Sequence, residues 1–243
     1  MPTLTRRQLR AHFGTRDPVM AALLEAAGPY RLRAMECATP FRHLCEAIIG
    51  QQISGRAAAA ILRRFREIFE TPGGEPAFPQ PQQVLQQESA TLRAAGLSAG
   101  KVQAIFDLAA KTLAGLVPDT AGLRALEDRE IIERLTAVRG IGPWTVQMML
   151  MFQLGRPDVL PAADYGVRNG FRLAYRLREL PTPRELLRYG ECWAPYRSAA
   201  AWYLWRAVDL EAAGVSWRRP LRRASSTRGA GAAQRPRRGA RTR

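Results

Sequence analysis

One carboxylate in this sequence stands apart from all other acids near it. Asp164 is the only acidic residue between Asp158 and Glu179, and it follows the apolar run 159–163. A carboxylate in such a place is either the N-cap of the helix that follows or a catalytic group, and the two roles are compatible. We therefore take Asp164 as the candidate catalytic residue, with a helix cap as the alternative.

A glycine hairpin precedes this acid. Gly140, Ile141 and Gly142 separate two predicted helices, and Pro143 begins the second. Glycines at both outer positions allow a tight turn with positive φ and leave room for a partner's backbone. The amides at the start of the second helix then face outward, where they can bind an anion such as a phosphate.

The charge balance also favours an anionic partner. The chain has 37 Lys and Arg against 21 Asp and Glu, which gives a formal net charge of +16. Ten arginines and no acids lie in residues 214–243, and the remainder of the chain is still basic. Basic surfaces bind nucleic acids by releasing counterions. For the tail, an Arg-rich composition that reflects codon usage is the alternative.

The composition argues against several other classes of protein. No run approaches the ~18 apolar residues of a membrane span, and residues 1–16 lack the apolar core of a secretory signal. Three scattered cysteines do not suit a disulfide framework, a zinc site or an iron–sulfur cluster. The only histidines, His12 and His43, are too few for a His-rich metal site. We therefore predict a cytoplasmic protein with no membrane partner and no metal site.

Helical signals surround these residues along the chain. Apolar residues recur at helical spacing, and capping residues precede the runs: Asp17, Ser54, Ser98, Asp164 and Thr182. No segment alternates apolar and polar residues, so we predict an all-α fold. We expect two helical lobes within residues 17–213, with the middle lobe at about residues 45–160. Residues 1–16 are predicted to be a flexible arm, and residues 214–243 a disordered tail.

Together these residues resemble a known family. The letters GIGPWT at 140–145, with LPAAD at 160–164, resemble the helix-hairpin-helix, glycine/proline-rich loop and aspartate motif of DNA base-excision glycosylases. Residues 41–60 (FRHLCEAIIGQQISGRAAAA) and 193–205 (WAPYRSAAAWYLW) resemble the alkylation-repair subgroup, bacterial 3-methyladenine DNA glycosylase II. The resemblance covers about residues 17–212.

The resemblance implies a fold and an activity. The fold is the two-lobed helical glycosylase fold, without the N-terminal β-rich domain of larger members, for which there is no room before Asp17. The activity is hydrolysis of the N-glycosidic bond of alkylated purines, of the 3-methyladenine and 7-methylguanine type, flipped from double-stranded DNA by a monomer. Cleavage builds positive charge on the sugar, which the Asp164 carboxylate would stabilise while it orients water. Strand-cleaving members carry a lysine where this chain has Trp144, so the resemblance implies no AP-lyase activity.

The resemblance also implies a base pocket. Alkylated purines are cationic, and an aromatic face binds a cation with about 0.5–2 kcal/mol per contact. Trp144 and Trp205 match pocket positions, and Met148 lies where an aromatic residue can occur in the family. Core packing is the alternative for such residues, and we favour it for Trp202 and Tyr203.

Several positions are implied to contact DNA. These DNA-binding residues are Gln51, Gln52, Ser54, Arg139, Gly140, Ile141, Gly142 and Thr145. Gln52 holds the wedge position that fills the gap left by a flipped base, and a polar turn capped by Ser54 is the alternative. No cofactor is expected, except a monovalent cation at the hairpin carbonyls when DNA is bound. The expected location is the bacterial nucleoid.

Two other classes of function stay open from the sequence alone. A non-catalytic helix-hairpin-helix module would recognise damaged or structured DNA with the same hairpin and basic surface. It would bind DNA in a salt-sensitive way but release no product. A helical protein–protein adaptor would bind no DNA. Asp164, at its spacing from the hairpin, is the feature that favours the enzyme.

Overall fold

The computed structural model describes residues 4–34, 39–69 and 78–217. These residues form α-helices and one 3₁₀ helix, and no strand occurs among them, which confirms the predicted all-α fold. The helices are α1 (Arg6–Arg16), α2 (Pro18–Ala27), α3 (Pro40–Gly50), α4 (Gly55–Glu67), α5 (Pro81–Leu85), α6 (Ser89–Ala94), α7 (Ala99–Leu113), α8 (Thr120–Ala125), α9 (Asp128–Thr136), α10 (Pro143–Phe152), α11 (Tyr165–Ala174), α12 (Pro183–Gly190), η1 (Glu191–Trp193) and α13 (Arg197–Ala212).

The predicted caps are present at the starts of these helices. The Ser54 hydroxyl accepts a hydrogen bond from the Ala57 amide at 3.3 Å. Thr182 and Glu185 form a reciprocal capping box at the start of α12. Each cap satisfies an amide that has no partner within the helix, and this stabilises the helix by about 1 kcal/mol.

The predicted flexible arm at residues 1–16 is wrong where the structure describes it. Residues 6–16 form α1, which begins with a capping box between Thr5 and Gln8. Leu9 and Phe13 are fully buried on one face of this helix. The helix has few apolar residues, so its order depends on packing against the rest of the fold, and a local pattern does not report such packing. Residues 1–3 lie outside the described residues.

The predicted tail lies mostly beyond the described part of the chain. Helix α13 ends at Ala212, and residues 218–243 lie outside the described residues. The disorder of the tail and the bounds of the two lobes therefore stay predictions. In the described ranges, no helix is long and apolar enough to cross a membrane.

The helices pack in two groups, as a two-lobed fold requires. Helices α3, α5 and α6 all contact α7, and α4 contacts α3. In the second group, α13 contacts α2, α11 and η1, while α1 contacts α2 and η1. Helix α10 contacts α3 and α9, and its side chains also reach the second group. Asp164 is the N-cap of α11 in that second group, so residues from both groups can meet beside it.

A buried carboxylate fastens the second group together. Asp17 is 1% exposed and caps α2, as its sequence position predicts. Its Oδ2 atom accepts a hydrogen bond from Trp193 Nε1 at 2.7 Å and another from the Tyr175 hydroxyl. These bonds join α2 to η1 and to the end of α11. They also supply the donors without which a buried carboxylate would be unstable.

Helices α11 and α13 cross closely at a glycine. A Cβ atom placed on Gly170 would lie 2.0 Å from the carbonyl oxygen of Leu204. Only a residue without a side chain fits between the two backbones here. The crossing brings Trp205, the next residue on α13, towards the start of α11.

Candidate active site

The Asp164 carboxylate is held on both of its oxygens. The Val167 amide donates to Asp164 Oδ1 at 2.8 Å, so Asp164 is the predicted N-cap of α11. Trp205 Nε1 also donates to Oδ1, at 2.9 Å, and Trp144 Nε1 donates to Oδ2 at 2.9 Å. The cap and the functional role are therefore compatible, because the donors fix the orientation of the carboxylate and leave one lone pair of Oδ2 without a donor.

Two features hold the Trp205 indole beside Asp164. Phe152, from α10, stacks on Trp205 with ring centroids 5.9 Å apart and an interplanar angle of 25°. Gly166 leaves space for the indole, since a Cβ atom there would lie 2.8 Å from Trp205 Cδ1. Neither Phe152 nor Gly166 was predicted as a site residue. Their roles depend on how α10, α11 and α13 meet.

The loop before Asp164 is fastened to the start of α13. The Ser198 hydroxyl donates to the Arg156 carbonyl at 2.7 Å and accepts from the Val159 amide at 2.9 Å. The Arg197 guanidinium donates to both carboxylate oxygens of Asp158, at 2.8 and 2.7 Å. Because α13 also carries Trp205, one helix positions both the acid's loop and one of its donors.

A cleft of about 410 Å³ includes Trp144 in its lining. Its lining comes from α3, the loop after it and the start of α10: His43, Ala47, Gly50, Gln51, Gln52, Trp144, Thr145 and Met148. Trp144 is 47% exposed, lines the cleft and donates to Asp164. The predicted pocket residues Trp144 and Met148 thus share the cleft. Trp205 contacts Asp164 instead and does not line the cleft.

The two aromatic neighbours of Trp205 on α13 belong to the core. Tyr203 is fully buried, and its hydroxyl donates to the Gly28 carbonyl at 3.1 Å. Trp202 is partly buried against the core and contacts Tyr30 edge to face, with ring centroids 5.5 Å apart. The core packing predicted for both residues is confirmed.

The hairpin differs from the prediction at one glycine. Gly140 has φ 78°, in the left-handed region that favours glycine. Gly142 has φ −99° and ψ 169°, an extended N-cap conformation open to any residue, so its predicted positive φ is wrong. A Cβ atom on Gly142 would meet nothing within 4 Å. The chain's own backbone and packing therefore do not require glycine at this position.

The amides of the hairpin point to different partners. The Arg139 amide donates to Asp107 Oδ2 at 2.7 Å, and the Ile141 amide donates to the Val138 carbonyl at 3.1 Å. The Ile141 side chain is buried, at 5% exposure. In the described part of the chain, the amides of Gly140 and Gly142 donate no hydrogen bond. These two amides, together with those of Trp144 and Thr145 in the first turn of α10, remain for an external anion.

The loop after α3 combines an exposed glutamine with an anchored one. Gln52 is exposed and has φ 58°, which is uncommon for a residue with a side chain and costs about 1–3 kcal/mol. Gln51 Nε2 donates to the Gly140 carbonyl at 2.8 Å. The Gln51 side chain thus links this loop to the hairpin, while the Gln52 side chain is free to project from it.

Helix α7 holds both the loop after α3 and the hairpin in place. Lys101 Nζ donates to the Ile49 and Gln51 carbonyls, each at 2.8 Å. Near the end of α7, Lys111 Nζ donates to Asp107 Oδ2 at 2.8 Å and to the Ala137 carbonyl at 2.6 Å. These positioning residues were not predicted. They are the only two lysines in an arginine-rich chain, and that bias was the signal available in the sequence.

Replacing Lys101 by methionine is expected to lower the free energy of unfolding by about 1–3 kcal/mol, because two carbonyls lose their donor. Urea titration measures this change. The control is Arg129→Met, which removes the same charge from a side chain that is 90% exposed. Its surface ion pair contributes about 0–1 kcal/mol. Equal losses in the two variants would show that the Lys101 contacts do not stabilise the loop.

The hairpin, the capping aspartate and the helical fold define a class of DNA repair protein. Residues 45–195 match the model of the HhH-GPD superfamily of base excision DNA repair proteins, and the chain belongs to this family. It is 39% identical over 209 residues to DNA-3-methyladenine glycosylase 1 of Schizosaccharomyces pombe, across 86% of this chain and 89% of that protein.

Solved structures agree with this assignment. The S. pombe 3-methyladenine DNA glycosylase in complex with abasic DNA superposes with a TM-score of 0.72 at 38% identity, covering 82% of this chain and 95% of that one. The DNA-3-methyladenine glycosidase of Bacillus halodurans gives a TM-score of 0.77 at 33% identity, covering 88% and 95%. The resemblance inferred from the hairpin and aspartate motif is confirmed.

Proposed function

We propose that this protein is a monofunctional DNA glycosylase that hydrolyses the N-glycosidic bond of alkylated purines flipped from duplex DNA. The observation that carries the proposal is the Asp164 carboxylate, held by the indole N–H groups of Trp144 and Trp205 next to an open cleft. A carboxylate used only as a helix cap needs one amide donor, and this one has two side-chain donors besides.

The carboxylate acts on the developing charge of the sugar. As the bond to the base breaks, the anomeric carbon becomes positive, and a fixed anion beside it lowers the barrier. The same carboxylate orients and deprotonates the attacking water. Because its donors already fix its orientation, Asp164 needs no rearrangement when the charge develops.

DNA is gripped at the hairpin and opened at the loop after α3. The Gly140 and Gly142 amides bind a phosphate, and the bare Gly142 lets the DNA backbone approach closely. Gln52 projects from its strained turn into the gap left by the flipped base. The bond from Gln51 to the Gly140 carbonyl fixes the loop after α3 relative to the hairpin.

The cleft receives the flipped base. Its exposed Trp144 ring offers a π-face to a cationic purine, and Met148 lies beside it on α10. A ring cation stacked on tryptophan gains about 0.5–2 kcal/mol over a neutral base of the same shape. This preference selects alkylated purines over ordinary ones.

Substituting alanine for Gly166 is expected to slow base release by about 10-fold or more, since the new methyl group displaces the Trp205 donor from Asp164. Single-turnover release from methylated duplex DNA measures the effect. The matched control is Gly100→Ala: Gly100 also occupies the second position of a helix, and a Cβ atom there meets nothing within 4 Å. If both variants released base at the wild-type rate, Trp205 would not be needed at Asp164.

The contacts of the two lysines support the proposed absence of strand cleavage. A lyase forms a Schiff base through a free amine. Both lysines of this chain are engaged, Lys101 with two carbonyls and Lys111 with Asp107 and a carbonyl. Borohydride trapping with alkylated duplex DNA tests this: we expect free base, an intact abasic strand and no covalent adduct. A trapped protein–DNA adduct would make the enzyme bifunctional.

The protein acts as a monomer on double-stranded DNA containing damaged bases, in the cytoplasm at the bacterial nucleoid. Its net charge of +16 makes this binding salt-sensitive. No cofactor takes part in the chemistry. A monovalent cation at the hairpin carbonyls of the DNA complex stays a prediction, and Gly140 O retains one lone pair for it beside its bond from Gln51.

A further inference from the structure

The cleft contains a side chain that the proposed mechanism does not use. His43 lies in the first turns of α3 and lines the cleft together with Trp144 and Met148. Its ring is half-buried and makes no side-chain hydrogen bond within the described part of the chain. The imidazole is therefore available to a molecule that enters the cleft.

The surroundings of His43 favour its uncharged form. Burial lowers the pKa of His43, and the Glu46 charge one turn further along α3 offsets this only in part. That carboxylate is itself paired with Arg42, at 2.8 Å. A neutral imidazole carries one N–H donor and one nitrogen lone pair, so His43 can accept a hydrogen bond.

We propose that His43 is a specificity-determining residue that accepts a hydrogen bond from an N–H group of the alkylated base in the cleft. The inference rests on the proposed function. Both 3-methyladenine and 7-methylguanine carry an exocyclic amino group, and the positive ring makes that group a stronger donor. A cleft of about 410 Å³ accommodates a purine. Trp144 then recognises the charge of the base, and His43 recognises its edge.

Three substitutions test whether base release needs the hydrogen-bond acceptor of His43, as distinct from the size or the charge of its side chain. His43→Gln keeps an acceptor, and its single-turnover release of 7-methylguanine is expected to stay near the wild-type rate. His43→Met removes the acceptor, and the rate should fall about 10-fold for one lost charge-assisted hydrogen bond. His43→Lys places a cation beside a cationic base, and the rate should fall about 100-fold or more.

Folding and DNA affinity are checked for each variant by its melting temperature and by its binding to undamaged duplex. The inference is overturned if His43→Met keeps the wild-type rate. It is also overturned if His43→Gln loses as much activity as His43→Met. That pair decides the matter if His43→Lys fails to fold. Wild type and Asp164→Asn run in the same assay: if wild type releases no base, the proposed function fails, whereas normal release by every His43 variant refutes only the inference.

Discussion

Asp164→Asn is expected to slow the release of alkylated bases by about 10³-fold, because the variant loses the negative charge that stabilises the sugar cation. The side chain keeps its size, and asparagine caps helices as well as aspartate does. Helix α11 should therefore remain. Single-turnover rates with excess enzyme isolate the chemical step from product release.

The hydrogen bonds of Asp164 sharpen this prediction. Asparagine has one acceptor oxygen and one NH₂ group, whereas Asp164 accepts from Trp205 on one oxygen and from Trp144 on the other. With its oxygen towards Trp205, the asparagine NH₂ would face the Trp144 N–H group. Trp144→Phe removes that donor and replaces the indole of the cleft by a smaller aromatic ring, but it keeps the carboxylate, so it should lose less activity than Asp164→Asn.

The melting temperature of Asp164→Asn serves as the control for folding. A variant that melts like wild type and fails to release base supports the catalytic role of the carboxylate. A variant that melts like wild type and releases base at the wild-type rate contradicts it. In that case Asp164 would be no more than the N-cap of α11.

Gly170→Ala is expected to destabilise the protein by about 3 kcal/mol, the upper end of the usual cost of overpacking a core. The added Cβ atom would lie 2.0 Å from the Leu204 carbonyl oxygen, and a backbone atom cannot rotate away as a side chain can. Helices α11 and α13 would have to separate. For a protein of this size, the melting temperature should fall by about 6–12 °C.

Gly100→Ala is again the matched control, because the same methyl group is added to a helix where it meets nothing within 4 Å. That variant should be as stable as wild type or slightly more stable, since alanine favours helix more than glycine does. Urea titration compares the two. Equal stability of Gly170→Ala and wild type would mean that α11 and α13 do not cross as closely as described.

Local features of the fold could be predicted from the sequence. Ser54, Thr182 and Asp164 were predicted as caps, and each accepts an amide of its own helix. A cap involves residues three apart in the chain, so its pattern is visible without the tertiary structure. The same logic applies to Thr5 and Gln8, where the capping-box pattern was present and the helix was missed.

The geometry of the site depends on contacts between distant residues. Trp144 and Trp205 lie 20 and 41 residues from Asp164, and their bonds to it were not predicted even though all three were candidate site residues. The family resemblance identified the members of the site, but not which atoms meet. Lys101 lies 50 residues from Gln51, and its hydrogen bond to the Gln51 carbonyl was likewise not predicted.

Gly142 illustrates how a residue type can be predicted for the wrong reason. A tight turn was expected to need positive φ at both hairpin glycines, but only Gly140 has it. Gly142 is extended, and its missing side chain leaves open space on the surface. The proposed reason for a glycine here is the close approach of the DNA backbone. The backbone conformation of the free protein therefore does not explain it.

Release of free base from duplex DNA with a single 7-methylguanine is the most direct test of the central claim. Mass spectrometry of the small-molecule fraction should show 7-methylguanine appearing with wild-type protein, while the damaged strand stays unbroken until alkali is added. Tight binding of the duplex with no free base released would contradict the account. The protein would then be a helix-hairpin-helix DNA-binding module without catalytic activity.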